Sequence, residues 1–531
     1  MAGASAATAP GRVNFSGRYK GFVLGLLLLC YTFNFIDRTI IATIGPKIRE
    51  DLHLTNTQLG LLGGLYFALL YTILGIPIAR LAERWNRVRI ISISLVVWSG
   101  FTALCGTAAN FAMLAAYRFG VGIGEAGCSP PSHSLISDYY EPDKRASALS
   151  IYSFGIPLGT MFGAAAGGYI AQHFGWRAAF MSVGMPGIIL AVIAWLFVKE
   201  PPRGNSEVVE LPVSPEDLTP VAVKPKGFMG ELSEIGAVVK VLFTKWPILN
   251  ITLGVTIASF GSYGSGAFVP QYFYTTFPLD LALVGLLVGL VMSGFSSGIG
   301  TLVGGFLSDW LSKRSKNWYA LTPAIGLLIA LPLYILAFTR PDWKLAFAIL
   351  LIPGIFHYTY LAPTFAVVQN AVPTRRRATA TAVLFFFLNL IALGGGPVFT
   401  GSLVDTYALW NFNHPGVMDL FTPLSGAVAK ATQDTLMAYV NIIPGIIEMA
   451  RTMGAPAHSA AHAVAGSYAA VCPGGKAAAG AAATTALACK SAISQASQAG
   501  VLITLCFYGW ASIHYFLAAI GLAKQLAKPT E

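Results

Sequence analysis

The chain has 531 residues, of which 55% are hydrophobic and only 11% are charged, and its mean hydropathy is +0.65. Soluble domains carry about 25% charged residues. This composition therefore excludes an ordinary soluble protein and indicates an integral membrane protein that is surrounded largely by lipid. The formal net charge of +11 would suit a nucleic-acid-binding protein, but the positions of the basic residues point to membrane topology instead.

Twelve apolar stretches are long enough to cross a bilayer, which takes roughly 20 helical residues. They do not alternate between polar and apolar residues as the strands of a membrane barrel do. The sequence therefore predicts an all-α membrane protein with twelve transmembrane helices. The predicted spans are 21–44, 57–82, 88–108, 111–136, 146–172, 178–198, 247–276, 281–308, 317–338, 344–371, 378–404 and 497–522.

The connecting segments divide these spans into two sets of six. A segment rich in proline and acidic residues separates the sets, and it reads as a cytoplasmic linker that ends in an amphipathic helix near 229–244. The predicted organisation is a tail (1–20), an N-terminal bundle (21–198), the linker (199–245), a C-terminal bundle (246–522) with a periplasmic insertion (405–496), and a second tail (523–531).

Lysine and arginine residues set the orientation of the chain. With a cytoplasmic N-terminus, 23 of the 34 basic residues fall in cytoplasmic segments and nine in outside loops, while Arg38 and Arg118 lie within spans. Such a bias is typical of the positive-inside rule. We therefore expect a multi-pass protein of the inner (plasma) membrane with both termini cytoplasmic. Membrane lipids are then its partners, and nucleic acid is not.

The long outside loop at 405–496 is poor in charge and rich in alanine and glycine. Cys472 and Cys489 lie in it, in a compartment that is predicted to be oxidising, and they are expected to form a disulfide. Two free thiols are the alternative. The loop itself is open to two interpretations, a cap over the outer mouth of the protein or a passive insertion.

Charged residues occur within two of the predicted spans. Asp37 and Arg38 lie in the first span, and Arg118 and Glu125 lie in the fourth. A charge at the bilayer centre costs about 2.5–3.5 kcal/mol on insertion scales, so these side chains should face a cavity or a partner. Arg118 and Glu125 are seven positions apart and share one helix face. The rise of about 1.5 Å per helical residue places Asp37 and Arg118 at similar depths in the membrane. An Asp37–Arg118 or a Glu125–Arg38 contact is therefore predicted.

Matching features recur in the two sets of spans. Glu83 and Asp309 are 226 positions apart, each following a small residue and preceding basic residues, and Arg145 and Arg377 are 232 positions apart. Matching positions on the same side of the membrane indicate a parallel repeat of six-helix halves.

On these residues the chain resembles a major facilitator superfamily (MFS) transporter, because Glu83-Arg84 with Arg87 and Arg89 is similar to the loop motif of that superfamily. Within the superfamily, the chain resembles a bacterial homologue of the spinster-like lipid transporters. Four stretches carry this resemblance: "NFIDR" (34–38), "AERWNR" (82–87), "RFGVGIGEA" (118–126) and "SIYSFGIPLGTMFG" (150–163).

The resemblance implies two pseudo-symmetric six-helix bundles, alternating access and a monomer. Glu83, Arg84, Arg87 and Asp309 lie at predicted cytoplasmic helix ends, where ion pairs between the halves would form a gate that holds the outward-open state. Ordinary positive-inside topology is the alternative. The resemblance also implies a substrate cavity between the halves, for which the candidate residues are Asn34, Phe35, Tyr117, His357, Tyr358, Tyr360 and Asn389. Aromatic side chains with a few polar tips suit an amphiphile with one polar head.

The buried charges suggest how transport is driven. Loss of water raises the proton affinity of a carboxylate, and a nearby arginine lowers it. A cavity that opens and closes changes both the hydration of the carboxylate and its distance from the arginine. We expect Asp37 and Glu125 to take up and release protons, coupled to pairing with Arg118 and Arg38. The alternative is a permanent ion pair that only fixes the two helices together.

The leading hypothesis is a secondary transporter that moves lysolipid-like or sphingoid-like amphiphiles with protons. An organic anion held by Arg38 or Arg118 is the alternative cargo, and a membrane sensor or scaffold that does not transport is the remote alternative. The sequence contains no nucleotide-binding loop, HExxH or nucleophile elbow, so we expect neither an enzyme nor a cofactor or metal.

Overall fold

The computed structural model describes residues 13–203, 205–206, 228–373, 377–415, 419–453 and 468–526. All regular secondary structure in these ranges is helical, which confirms the all-α prediction. The six helical units of the N-terminal half, named spans 1 to 6, are Gly17–Leu52; Asn56–Gly63 with Leu65–Arg84; Arg87–Cys105; Phe111–Glu125 with Ser129–Tyr139; Pro142–Ser153 with Gly155–Phe174; and Trp176–Phe197.

Spans 7 to 12 form the C-terminal half. They are Trp246–Thr276; Leu281–Leu287 with the π-helix Val288–Ser296 and Ser297–Ser312; Trp318–Phe338; Trp343–Leu350 with Pro353–His357, the 3₁₀-helix Tyr358–Tyr360 and Leu361–Asn370; Arg377–Phe387 with the π-helix Leu388–Leu393 and Gly394–Asn413; and Ala483–Leu505 with Phe507–Ala519. The remaining helices are Phe228–Thr244, Leu424–Val440, Ile442–Thr452, Tyr468–Val471, the 3₁₀-helix Pro473–Gly475, and Leu522–Leu526.

Length and composition support this count of spans. Ten helices in the described ranges are long and apolar enough to cross a membrane, and an eleventh is added when Ile235–Thr244 is taken with Trp246–Thr276, to which it lies at 94°. Span 4 is the twelfth. It is interrupted at Ala126–Cys128 and so consists of two shorter helices, Phe111–Glu125 and Ser129–Tyr139.

Buried apolar side chains form two separate cores. One core draws on residues between Val23 and Val198, joined by Leu281 and Leu393 from the other half. The second core draws on residues between Val238 and Leu522. Two cores of this kind are what two six-helix bundles require, since each bundle must bury its own helix faces.

The two halves meet closely at one end of the molecule, which we name the closed end. A Cβ on Gly60 of span 2 would lie 2.3 Å from the Pro397 carbonyl oxygen of span 11. A Cβ on Gly285 of span 8 would likewise lie 2.3 Å from the Ala164 carbonyl oxygen of span 5. Only glycine permits backbones to approach so closely.

The same faces separate towards the opposite end, which carries Arg87 and which we name the open end. Met161 of span 5 contacts Gly289 and Gly294 of span 8. Phe154, at the break between the two helices of span 5 and nearer the opposite end, is 57% exposed. The crevice between the halves therefore opens towards the end predicted to be cytoplasmic.

The segment between spans 11 and 12 differs from the predicted insertion at 405–496. Span 11 continues to Asn413, and span 12 begins at Ala483, so much of the expected loop belongs to two long helices. Between them, Leu424–Val440 and Ile442–Thr452 pack on spans 11 and 4. Cys472 and Cys489 form a disulfide, which ties the remaining loop to the start of span 12.

Candidate functional site

An ion pair between spans 1 and 4 lies at the centre of the N-terminal half. The Arg38 Nε donates to Glu125 Oε2 at 2.7 Å. The Glu125 side chain is fully buried, whereas 15% of the Arg38 side chain is exposed. The arginine thus faces the crevice and the carboxylate lies behind it. This is one of the two contacts that the helix spacing predicts.

Three aromatic rings surround the Arg38 guanidinium. Its central carbon lies 5.0 Å from the ring centroid of Phe35, 5.1 Å from that of Phe67 and 4.4 Å from that of Tyr71. Cation–π contact of this kind stabilises a charged group that has lost part of its water. The site therefore holds Arg38 as a cation at the edge of an apolar interior.

Asp37 and Arg118 are neighbours, but their contact is not the predicted carboxylate–guanidinium pair. Arg118 is completely buried, and its Nη1 lies 3.4 Å from the backbone carbonyl oxygen of Asp37. Its Nε donates to the Leu62 carbonyl at 3.1 Å. The side chain of Asp37 is also buried, and its Oδ1 makes no hydrogen bond. The positive charge of Arg118 is therefore bound mainly through backbone dipoles.

Several polar atoms of this site lack a hydrogen bond. They are Asn34 Nδ2 and Oδ1, Asp37 Oδ1, Arg38 Nη2, Arg118 Nη2 and Glu125 Oε1. A buried polar atom without a partner costs roughly 1–3 kcal/mol. Such a concentration in one place is typical of a functional site, where protons, water or a ligand complete the hydrogen bonding.

Glycines in span 4 bring these charges close to spans 2 and 3. A Cβ on Gly122 would lie 2.6 Å from the Phe67 carbonyl oxygen, and one on Gly124 would lie 2.5 Å from the Trp98 nitrogen. Because backbone atoms line both contacts, no larger residue fits. These glycines thus have a structural role, which is to let span 4, with Glu125 at the end of its first helix, pack directly against the backbones of spans 2 and 3.

Four of the predicted cavity residues, Asn34, Phe35, Tyr117 and Asn389, lie at different places in spans 1, 4 and 11. Asn34 and Phe35 of span 1 lie beside the Arg38–Glu125 pair, whereas Tyr117 of span 4 is half-buried and packs against the N-terminal core. Asn389 lies in the π-helix Leu388–Leu393 of span 11 and is half-buried. The structure therefore places Asn34 and Phe35 at the ion pair and Tyr117 in the surrounding packing.

His357, Tyr358 and Tyr360 form an aromatic cluster in span 10 of the other half. The His357 ring lies 4.5 Å from the ring of Tyr358, 5.6 Å from that of Tyr360 and 4.3 Å from that of Tyr508. Its Nδ1 lies 3.4 Å from the hydroxyl of Tyr334, and its Nε2 has no hydrogen bond. His357 and Tyr360 are buried, so only Tyr358 of this predicted set is partly accessible.

Sequence reasoning missed Tyr71 of span 2 and Tyr263 of span 7. Tyr71 contacts Arg38, and Tyr263 of the opposite half is close enough to interact electrostatically with both. Tyr263 is 42% exposed. Neither tyrosine occurs in a motif, and the available signal was only that a tyrosine occurs among the glycines of span 7.

The predicted gate residues do not form ion pairs between the halves in the described part of the structure. Arg87 is fully buried and binds Asp138 of its own half and Glu200, which follows span 6 of that half. This corrects the expectation that Arg87 lies at the interface between the halves. Arg84 is exposed, Asp309 accepts a hydrogen bond from the Tyr319 hydroxyl at 3.0 Å, and the Glu83 side chain lies outside the described structure.

A polar cluster at the closed end joins the halves instead. Asp405 of span 11 accepts hydrogen bonds from the backbone nitrogens of Asn56 and Thr57 at 2.9 and 2.8 Å, and from their side chains at 2.8 and 2.7 Å. A carboxylate from one half thus caps the N-terminus of a helix in the other, where the helix dipole favours negative charge.

Asn56 extends this closed-end cluster. Its Oδ1 accepts from Arg49 Nη1 at 3.0 Å and from Gln271 Nε2 at 2.9 Å. Gln271 belongs to span 7 and also donates to Ser497 of span 12. Spans 1, 7 and 11 therefore all bond to this one asparagine of span 2, which the sequence did not single out.

A two-half bundle of twelve spans, closed at one end over buried charges, defines a polytopic membrane transporter. The chain belongs to the Major Facilitator Superfamily, whose sequence profile matches residues 27–397. It is therefore a transporter and not an enzyme, and the predicted fold is confirmed.

The similarity to spinster-like proteins is also confirmed. A bacterial homologue of the human lysosomal transporter Spinster, solved in an inward-facing and unoccupied conformation, matches with a TM-score of 0.74 and 32% identity, covering 97% of this chain and 100% of that chain. An MFS-type efflux pump of Mycolicibacterium smegmatis is 31% identical over 72% of this chain and 84% of its own length. The Hexuronate transporter of Bacillus subtilis is 26% identical over 72% and 87%.

Proposed function

We propose that the protein is a proton-coupled transporter of amphiphilic lipids, lysolipid-like or sphingoid-like, that works by alternating access. The observation that carries this proposal is the Arg38–Glu125 pair. One carboxylate oxygen binds the arginine and the other makes no hydrogen bond, while the arginine borders the crevice. A proton can therefore be added to the acid without breaking any second contact.

Protonation of Glu125 changes what Arg38 can bind. A neutral carboxylic acid holds the guanidinium less strongly than a carboxylate does, so Arg38 becomes available to a negatively charged group from the crevice. Asp37, next to Arg38 and close to Arg118, supplies a second buried acid for the same step. Proton uptake and binding of an anionic headgroup are thereby coupled.

The surroundings of Arg38 favour an amphiphile as the cargo. Phe35, Phe67 and Tyr71 surround the cation, and Tyr263 and Tyr358 face the same region from the other half. A single cation within aromatic surfaces suits a lysolipid with a phosphate group and an apolar chain, or a sphingoid-like molecule whose head carries an anionic group. The sequence resemblance to the spinster-like lipid transporters supports this cargo, and the open end is proposed to face the cytoplasm.

Transport by the purified protein in vesicles tests the proposal. A fluorescent lysolipid is offered under an imposed pH gradient, and unlabelled lysolipids and hexuronates are added as competitors. We expect uptake that collapses with a protonophore and is inhibited by lysolipids only. Uptake that does not respond to the gradient would contradict proton coupling.

An organic anion is the second candidate cargo. It is favoured by the similarity to the Hexuronate transporter and by the Arg38 Nη2, which has no hydrogen bond and suits a carboxylate. In the same vesicles, gradient-driven uptake of a radiolabelled hexuronate, with no gradient-driven uptake of the fluorescent lysolipid, would establish this cargo and exclude the lipid.

A further inference from the structure

The helices Leu424–Val440 and Ile442–Thr452, named here the hairpin, run beside the spans rather than over their ends. Thr435 packs beside the position of Gly395, and the Tyr439 hydroxyl donates to the Leu390 carbonyl of span 11. Asp434 accepts a hydrogen bond from Ser402, nearer the closed end. The first hairpin helix therefore descends along span 11 from the closed end.

The hairpin then turns and returns to the closed end. Its turn borders a crevice of about 340 Å³ that Leu61 and Tyr66 of span 2 also line. Tyr66 lies ten residues beyond Asn56, which corresponds to about 15 Å along a helix. The second hairpin helix ends at Asn110, the cap of span 4, whose Nδ2 donates to the Met453 carbonyl at 3.2 Å.

The polarity of the hairpin follows its depth. Lys430, Gln433 and Asp434 precede the turn, and Glu448 and Arg451 follow it, but no charged residue occurs from 435 to 447. Within that stretch, the large exposed side chains are apolar, whereas the exposed Asn441 at the turn lines the crevice. Leu436, Val440, Ile443 and Ile447 are 61%, 71%, 69% and 50% exposed, respectively.

These four residues lie on two helices that meet at Asn441, and together we name them the stripe. Leu436 and Val440 share one face of the first helix, and Ile443 and Ile447 share one face of the second, because each pair is four positions apart. The stripe faces away from the spans, while Ala431 and Thr435 of the other face are buried against them. At this depth the exposed faces of neighbouring spans contact acyl chains. The surface of the stripe is continuous with that lipid-facing surface.

We infer that the hairpin is a re-entrant element that enters the bilayer from the closed end, with the Leu436–Ile447 stripe against the acyl chains of that leaflet. It packs beside spans 2 and 11, which belong to different halves and meet at Gly60 and Pro397. Separation of the halves at the closed end must therefore displace the hairpin within the lipid. This inference does not depend on the identity of the cargo.

Spin labels in liposomes test the inference. Cysteine is introduced at Gln433, Val440, Ile443 or Arg451 in a Cys506→Ser background, since Cys506 is the exposed free cysteine in the described structure. Collision of each nitroxide with oxygen and with a nickel chelate is measured. Gln433 and Arg451 are the matched controls, because both are exposed and lie on the polar ends of the hairpin.

We expect the labels at 440 and 443 to collide with oxygen and to show several-fold less contact with the nickel chelate than those at 433 and 451. Equal nickel accessibility at all four positions would place the hairpin in water and overturn the inference. Low collision with both reagents at 440 and 443 would also overturn it, because a protein surface, such as a second copy, would then cover the stripe.

Discussion

Arg38 is the residue at which the buried charges and the crevice meet. It binds Glu125 on one side, three aromatic rings surround it, and 15% of its side chain remains exposed. Asp37, its neighbour in sequence, points to a different face of the helix and is buried near Arg118. The two acids of the site thus have different partners, and substitution of each has a different expected effect.

Asp37→Asn separates a role in proton coupling from a role in stability. The Asp37 Oδ1 makes no hydrogen bond, and a buried charge without strong pairing is costly. We expect the neutral, isosteric variant to lose proton-driven uptake, while its melting temperature stays at or above that of the wild type. Vesicle transport and thermal unfolding of the same preparation measure both.

Two other results would speak against this role of Asp37. Wild-type, gradient-dependent transport by the variant would show that Asp37 carries no coupled proton. A large drop in melting temperature would instead indicate that the carboxylate fixes span 1 in place.

At the scale of helices, the closed end depends on glycines that have no room for a side chain. Gly60→Ala places a methyl group 2.3 Å from the Pro397 carbonyl oxygen, so we expect the halves to separate there and transport to fall sharply. Gly75→Ala in the same span is the control, because nothing lies within 4 Å of its Cβ position.

Cysteine accessibility at the closed end measures this separation. Greater labelling in Gly60→Ala than in Gly75→Ala is the expected result. Equal labelling and equal transport in the two variants would show that the contact between spans 2 and 11 does not control closure.

Asp405→Asn tests the cap that one half provides to the other. The wild-type carboxylate accepts four hydrogen bonds from Asn56 and Thr57, whereas an amide loses the charge and turns one acceptor into a donor. A hydrogen bond to a charged group contributes about 1.5–3 kcal/mol. We expect the population closed at this end to fall roughly tenfold or more relative to the open one.

Distances between spin labels on the two halves report that population. An unchanged distance distribution in Asp405→Asn would show that the cap follows closure instead of stabilising it. Ser402→Ala is a suitable control, since Ser402 of the same span contacts the hairpin and not the opposite half.

The sequence predicts some of these elements and not others, for physical reasons. Spans are predictable because hydrocarbon thickness fixes their length, and Arg38 with Glu125 because intramembrane charges need partners. The Asp405 cap was not predictable, since Asp405 and Asn56 are 349 positions apart and each is an ordinary residue near a helix end. The hairpin was missed because its helices are shorter than a span.

At the scale of the whole molecule, the contacts between the halves concentrate at the closed end. The insertion between spans 11 and 12 contacts the spans at the same end. Lys476 of the insertion also pairs with Glu50 of span 1 at 2.7 Å, and Gly475 lies against Arg49. The opposite end lacks the predicted ionic gate in the described residues, as an open crevice requires. Glu83, Arg84 and Asp309 remain candidates for that gate when the crevice closes.

Orientation in the membrane is a separate prediction at this scale. Lys313→Cys at the open end and Phe421→Cys at the closed end, both exposed, are placed in the Cys506→Ser background. In right-side-out vesicles, an impermeant maleimide should label position 421 directly and position 313 only after permeabilisation. The reverse pattern would contradict the cytoplasmic assignment of the open end and of the termini.

The central claim is that protonation of Glu125 releases Arg38 for the cargo, and Glu125→Gln in vesicles tests it most directly. The variant mimics the protonated acid, and its amide cannot exchange the proton. We predict that lysolipid exchange between the two sides persists while the pH gradient no longer drives accumulation. Accumulation by Glu125→Gln that still follows the gradient as in the wild type would contradict the account.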